Sequence, residues 1–347
     1  MKKFFTVAAS LILSAAVLTA CGSSAAPAAT TGAPETTAAA VTQAPETTEE
    51  TKSFHIAIVQ QLDHASLDEI RLAVEDELTK AAADKGFQVS YKEFNGQNDN
   101  TVLNQIGAQV VSDKYDAIIP IASLAAQCMV TAADGTNTPI IYAAVSDPAA
   151  AGLTDIPNVT GTSDALNTAF ILDMMLAAQP DVKTVGLLYS NSETNSQTPI
   201  AQAKEYLEQK GIAYIEKTGN STDEILTAAS SLVGRVEAVF TPTDNAVMAC
   251  EGAVAEILNQ AGIAHYTGAD SFVAAGAFTT SGVNYTELGT YTADMAVDIL
   301  LGGAVPEYHV MDGGIITVNT DTAEALGIDY SVFKTKANTV TEVTTVE

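Results

Sequence analysis

The sequence predicts an α/β protein built as two doubly wound, parallel-sheet lobes joined by a multi-strand hinge. Three observations carry that prediction. Short β-rich runs alternate with longer helical patterns through the central part of the chain. The strand runs are almost continuously apolar, as they are when helices cover both faces of a parallel sheet. The pattern is also written twice. IAIVQQ (56–61) parallels VGLLYS (185–190), DAIIPIASLAAQ (116–127) parallels EAVFTPTDNAVM (237–248), and YAAVSDP (142–148) parallels YTGADSF (266–272). The offsets are 129, 121 and 124, so order is kept while loop lengths vary.

Taken in order, the elements begin with an export signal. Lys2 and Lys3 precede an apolar run over 4–18, which is too short for a span of about 20 residues and is followed by small residues. The segment ending in LTAC (18–21) is similar to a bacterial lipobox, which marks 1–21 as a lipoprotein signal and Cys21 as the lipidated residue. Two acyl chains on that cysteine would hold the chain stably at the outer face of the cell membrane. Residues 22–53 are nearly all Ala, Thr, Pro, Ser, Gly and Glu and cannot bury a core, so they read as a disordered spacer.

Strands are expected at 56–60, 88–94, 117–121, 140–144 and 159–160, then at 185–189, 213–217, 238–241, 264–268 and 277–280. Ser66 with Glu69, and Ser221 with Glu224, have the spacing of capping boxes, and Gly86 stands where the first helix should end. The chain is expected to cross between lobes after NVTGTSD (158–164), after SGVNY (281–285) and at GIITVN (314–319). Several crossings make a hinge that permits closure. Lobe 1 is therefore drawn as 54–161 plus 286–312, lobe 2 as 162–285 plus 313–334, and 335–347 as a loose tail. Each lobe is Rossmann-like, of the flavodoxin-like type.

Composition narrows the function. A formal net charge of −27 argues against nucleic acid, whose phosphates need basic patches. Cys128 and Cys250 are too few for a disulfide framework and lie in apolar helical contexts. No G-x-S-x-G elbow or Walker-type loop occurs, and His55, His64, His265 and His309 are scattered, so neither an enzyme nor a metal receptor is indicated and no cofactor is expected. His64 alone stands at a predicted cleft edge.

What the pattern does offer is binding. Polar residues gather at the carboxyl ends of the first, third and fourth strands of each half, where open α/β sheets hold ligands and helix amino-termini point. A ligand that carries a carboxylate would suit Ser123 with the helix start Leu124–Ala125 behind it. An ammonium group on it needs a buried acceptor, and Asp147, Asp244 and Asp270 are the aspartates at such strand ends, each with an alternative role as a helix N-cap. Gln61, Ser146, Thr243, Asn245 and Ser271 flank them, while Leu62, Tyr189 and Phe272 could pack on an aromatic ring.

QQLDHASLDEIRLAVEDEL, PIIYAAVSDPAAAGL, NVTGTSD, VGLLYSNSETNS, PTDNAV and GADSFVAAGAFTTSGVNYTELG together resemble the type I periplasmic-binding-protein fold. More narrowly, they resemble the substrate-binding lipoproteins of ABC transporters associated with tryptophan and other aromatic amino acids. The resemblance runs over nearly all of 54–334. It departs at Ala65, where proline is frequent, and at Ser123-Leu124, where Thr-Pro is commoner. It implies a monomeric receptor that captures an aromatic amino acid between its lobes and presents it to an ABC permease driven by a separate ATPase. A branched-chain amino acid, a nucleoside or a sugar in the same cleft, or a surface sensor without transport, are the alternatives.

Overall fold

The computed structural model describes residues 51–337 and 339–346; the expected signal, Cys21 and most of the spacer lie outside the described residues. Thirteen strands occur among the described residues. The first five are β1 (Ser53–Gln60), β2 (Gln88–Asn95), β3 (Ala117–Ile121), β4 (Ile140–Tyr142) and β5 (Val159–Ser163). The next five are β6 (Thr184–Tyr189), β7 (Ala213–Thr218), β8 (Ala238–Thr241), β9 (Ala264–Thr267) and β10 (Thr279–Gly282). Then come β11 (His309–Val310), β12 (Ile315–Asn319) and β13 (Val340–Val343).

The strands form two sheets. One has the order β11-β5-β4-β3-β1-β2, the other β13-β12-β10-β9-β8-β6-β7. Cores of the two orders, 2-1-3-4-5 and 7-6-8-9-10, are the same flavodoxin-like winding. Pairing is parallel throughout except between β10 and β12. The doubled sequence pattern is thus a doubled architecture of two α/β lobes. The inner strands are apolar because both sheet faces are covered: Ile56, Ile58, Val185, Leu187, Val239 and Phe240 are wholly buried.

Eleven α-helices fill the connections among the described residues. Lobe 1 carries α1 (Ala65–Lys85), α2 (Asn100–Asp113) and α3 (Ser123–Ala132). Lobe 2 carries α4 (Thr168–Ala178), α5 (Thr194–Lys210), α6 (Thr222–Leu232), α7 (Asn245–Met248), α8 (Glu251–Gln260) and α9 (Asp270–Ala274). The last two are α10 (Tyr285–Leu300) and α11 (Thr320–Leu326). α10 returns to lobe 1 and lies on α1. Gly289 allows that approach, since a Cβ there would stand 2.6 Å from the Ile70 carbonyl oxygen.

The chain passes between sheets after β5, after β10 and after β11, where the three crossings were expected. Gly86 closes α1 with φ 73°, and Ser221 caps α6 by accepting the Glu224 N–H, while the Glu224 carboxylate accepts from Asn220 N–H.

Three expectations need correction. The α1 box does not form: His64 occupies the N-cap position, Ser66 bonds Ser271 on lobe 2, and Glu69 accepts from the Thr286 N–H and hydroxyl. Long-range partners displace the local ones. Thr162 and Ser163, drawn in lobe 2, belong to β5 and pair with His309 and Val310 in the lobe 1 sheet. The segment drawn as a loose tail supplies β13, parallel to β12, and Val346 N–H donates to Ala274 O. Its β-branched Val and Thr residues fit the open edge β12 presents.

Candidate functional site

The two sheets point their carboxyl ends at each other, and the lobes are closed. His64 Nε2 lies 3.0 Å from Asn245 Oδ1, Ser66 Oγ 2.5 Å from Ser271 Oγ, and Ser146 Oγ 3.1 Å from Thr243 Oγ1. Farther out, Thr198 donates to Asp147 (2.7 Å) and Gln61 to Glu193 (3.3 Å). Between the lobes lies a tightly closed cavity of about 20 Å³, room for about one water, so a ligand enters only as the jaws part.

Lobe 1 lines it with His64, Ser66 and Leu67 from the β1–α1 turn, Ala122 and Ser123 after β3, Ala144 and Ser146 after β4, and Asp164 after β5. Lobe 2 adds Asn195 after β6, Thr243, Asp244, Asn245 and Met248 after β8, and Ala269 and Phe272 after β9; Tyr285 comes from the hinge. Two of the lobe 1 positions are held against backbone preference. Ala122 has φ 76° and ψ 161°, and Ala144 has φ 55°. The first is a region that is nearly glycine-only, and such strain gathers at binding sites.

Seven of the sequence candidates meet on this wall: His64, Ser123, Ser146, Thr243, Asp244, Asn245 and Phe272. The others do not. Leu62 is buried in the hydrophobic core, and Ala125 and Leu124 pack in the lobe 1 interior. Tyr189 packs on the lobe 2 core and turns its hydroxyl to Glu216, on the exposed side. Gln61 is buried but committed, accepting from Leu124 N–H (3.1 Å) and donating to Asn98 and Glu193. Asp147 accepts from Ala150 N–H and Thr198, Ser271 is engaged with Ser66, and Asp270 is half-buried beside the wall.

The aspartates divide by what already bonds them. Asp244 caps α7 through Val247 N–H (3.0 Å), and its other oxygen takes Ser190 N–H and the Ser196 hydroxyl, both at 2.7 Å. Beside it the buried Glu193 takes five N–H donors, from Asn245 backbone and side chain, Ala246, Asn195 and Gln61. Burial raises the pKa of both carboxyls, and for Glu193 the neighbouring Asp244 adds to it while these donors oppose it.

Asp164, which the sequence reading missed, is different. It is buried, taking the Ser146 hydroxyl on one oxygen (2.8 Å) and the Tyr285 hydroxyl on the other (3.1 Å). No cationic side chain among the described residues pairs with it, and burial pushes its pKa up. The available signal was its place at the carboxyl end of the fifth strand. That position was read as a lobe crossing, and it is both. Glu193 and Asn195 lay equally in view within SNSETNS (190–196).

Outside the cleft, His265 is buried between Glu251 Oε1 and Thr241 Oγ1, each at 2.8 Å, a structural role within lobe 2. Among the described residues no helix is long and apolar enough to cross a membrane.

Residues 55–339 match the family described as ABC transporter substrate binding protein. A "Tyrosine-binding protein" of Clostridioides difficile (strain R20291) is 32% identical over 290 residues, covering 80% of this chain and 82% of that one. A solved ABC domain in complex with L-Trp, from Streptococcus pneumonia, superposes with a TM-score of 0.77 at 29% identity, over 84% of this chain and 100% of that one. The ligand-free, open structure of a substrate binding protein with adhesive properties from Clostridium difficile gives 0.63 at 33% identity over the same shares.

Proposed function

The chain belongs to the ABC transporter substrate-binding protein family, and from that premise we propose that it captures an aromatic amino acid between its lobes. Such proteins are extracytoplasmic and work with an ABC transporter, and this one is a binding protein rather than an enzyme. The single observation that carries the ligand class is Asp164. A buried carboxylate on a cavity wall with no cationic partner is a costly arrangement unless the ligand brings the charge. An α-ammonium group does so, and meets an acceptor whose orientation Ser146 and Tyr285 already fix.

The rest of the wall suits the remainder of such a ligand. The Ser123 hydroxyl sits at the start of α3, where helix N–H groups favour an anion, and supports a carboxylate site with Thr243. Leu67, Met248 and Phe272 offer apolar surface and an aromatic face for a ring. The names of the tyrosine- and L-Trp-binding relatives support the same ring.

In this reading the receptor acts as a monomer. Cys21 tethers it to the outer face of the membrane, and it delivers its ligand to a permease driven by a separate ATPase. Thermal-shift measurements on the chain from Gly22 onward, against the amino acids, nucleosides and common sugars, test the reading. An aromatic amino acid should raise the midpoint by several degrees in proportion to ln(1 + [L]/Kd). A shift with a sugar or nucleoside and none with tyrosine, tryptophan or phenylalanine would overturn it.

A further inference from the structure

One side-chain nitrogen on the wall, His64 Nδ1, is fully buried and finds no hydrogen-bond partner among the described residues. Its chemical character is set from a distance. Glu193 accepts the Asn245 backbone N–H at 3.1 Å and the Asn245 side-chain Nδ2 at 2.8 Å. Its two oxygens also face the Ala246 N–H and the Asn195 and Gln61 amides. Asn195 is held in its orientation by donating to Thr243 O, and Gln61 by accepting Leu124 N–H.

Glu193 Oε2 already accepts the Asn245 backbone N–H and the Asn195 amide and faces the Asn245 side chain with a lone pair, so it takes the NH₂ and turns Oδ1 toward His64. Oδ1 can only accept, so His64 Nε2 carries the hydrogen. Burial lowers the His64 pKa and keeps the ring neutral, which leaves Nδ1 as a lone-pair acceptor.

Apolar residues of the wall lie close along the chain to His64 or to its partner Asn245. Leu67 is one helical turn along α1, and Met248 is three residues beyond Asn245. The Ser66–Ser271 bond brings the turn holding His64 against the residue preceding Phe272. The ammonium is already provided for at Asp164.

We propose that His64 Nδ1 reads a hydrogen-bond donor on the ligand's ring, so that the site selects a phenol O–H or an indole N–H over an unsubstituted phenyl ring. This rests on the aromatic-amino-acid reading above. A site with a buried acceptor rejects the analogue lacking a donor, because the acceptor is then stripped of water and left unpaired.

The experiment is calorimetric titration of L-tyrosine, L-tryptophan and L-phenylalanine into the chain from Gly22 onward, as wild type, His64→Leu and His64→Asn. Wild type should bind tyrosine or tryptophan about tenfold or more tighter than phenylalanine. His64→Leu loses the Asn245 contact as well and weakens all three, so the readout is their ratio, which should fall to within about twofold of unity. His64→Asn retains a polar group and should recover part of the preference. The inference is overturned alone if wild type binds phenylalanine as tightly as the other two, or if the preference survives in His64→Leu. If none of the three binds, the aromatic reading falls and takes this inference with it.

Discussion

The strand ends after β3–β5 in lobe 1 and after β8 in lobe 2 occupy comparable positions in the two lobes, yet their polar groups are in opposite states. In lobe 2 the groups are saturated: Asp244 caps α7 and holds Ser190 and Ser196, and Glu193 is ringed by donors. In lobe 1 Ser146 and Asp147 are engaged, but other groups keep capacity in reserve. The Ser123 hydroxyl caps nothing, Ala122 replaces a capping residue in a strained conformation, and Asp164 holds two hydroxyls and no cation. A polar side chain at a strand end serves a ligand only with the lone pairs its own lobe leaves over. Lobe 2 thus reads as the rigid jaw and lobe 1 as the one that offers charge.

Substitutions can break that contrast, and the largest effect falls on the saturated side. Asp244→Ala leaves three buried donors without an acceptor and removes the α7 cap. Unfolding free energy should drop by about 3–5 kcal/mol, read from the urea midpoint at unchanged slope. Should Asp244→Ala unfold like wild type and lose only ligand, the rigid-jaw assignment is wrong.

Asp164→Asn should do the reverse. Affinity for the amino acid should fall about 100-fold, or roughly 2.7 kcal/mol, by calorimetry. The ligand-free urea midpoint should stay or rise, because a carboxyl whose charged form burial disfavours is replaced by a neutral amide of the same shape. Retained affinity would move the ammonium site elsewhere.

A smaller effect sharpens the comparison through pH. Burial raises the folded-state pKa of Asp164 above its ordinary value of 3.8. The folded, ligand-free chain therefore holds a proton that the unfolded chain releases. That contribution to stability is fully present below the ordinary value and is lost as pH rises through the raised one. Ligand affinity should move the opposite way, increasing as pH rises through the raised pKa, since only the ionised carboxylate pairs with an ammonium. Titrations across the acid range check both signs, and Asp164→Asn should flatten the affinity profile. An unchanged profile in that variant would assign the titration to another group.

Much of this was legible in the chain. The apolar strand runs, the matched halves and the three crossings follow from local periodicity and spacing. The Ser123, Thr243–Asn245 and Phe272 positions followed from the rule that ligands gather at strand carboxyl ends. Asp164 obeyed the same rule, but its segment was read only as a crossing. The cap at Ser66 failed because Ser271, 205 residues away, was a better partner than the local backbone. Tyr189 failed because the alternation of a strand gives two faces, and the sequence does not say which faces the cleft.

By itself, then, the sequence determined the two α/β lobes, their hinge and the strand ends where a ligand would sit. These depend on periodicities of 2 and 3.6 residues and on short-range turn chemistry. Only the tertiary structure decided which polar groups at those ends remain available. Asp244 is satisfied by residues 48 and 54 positions away, and Glu193 by others up to 132 away. Hydrogen-bond capacity is a local property of a side chain. Whether that capacity is left over is a property of everything folded around it.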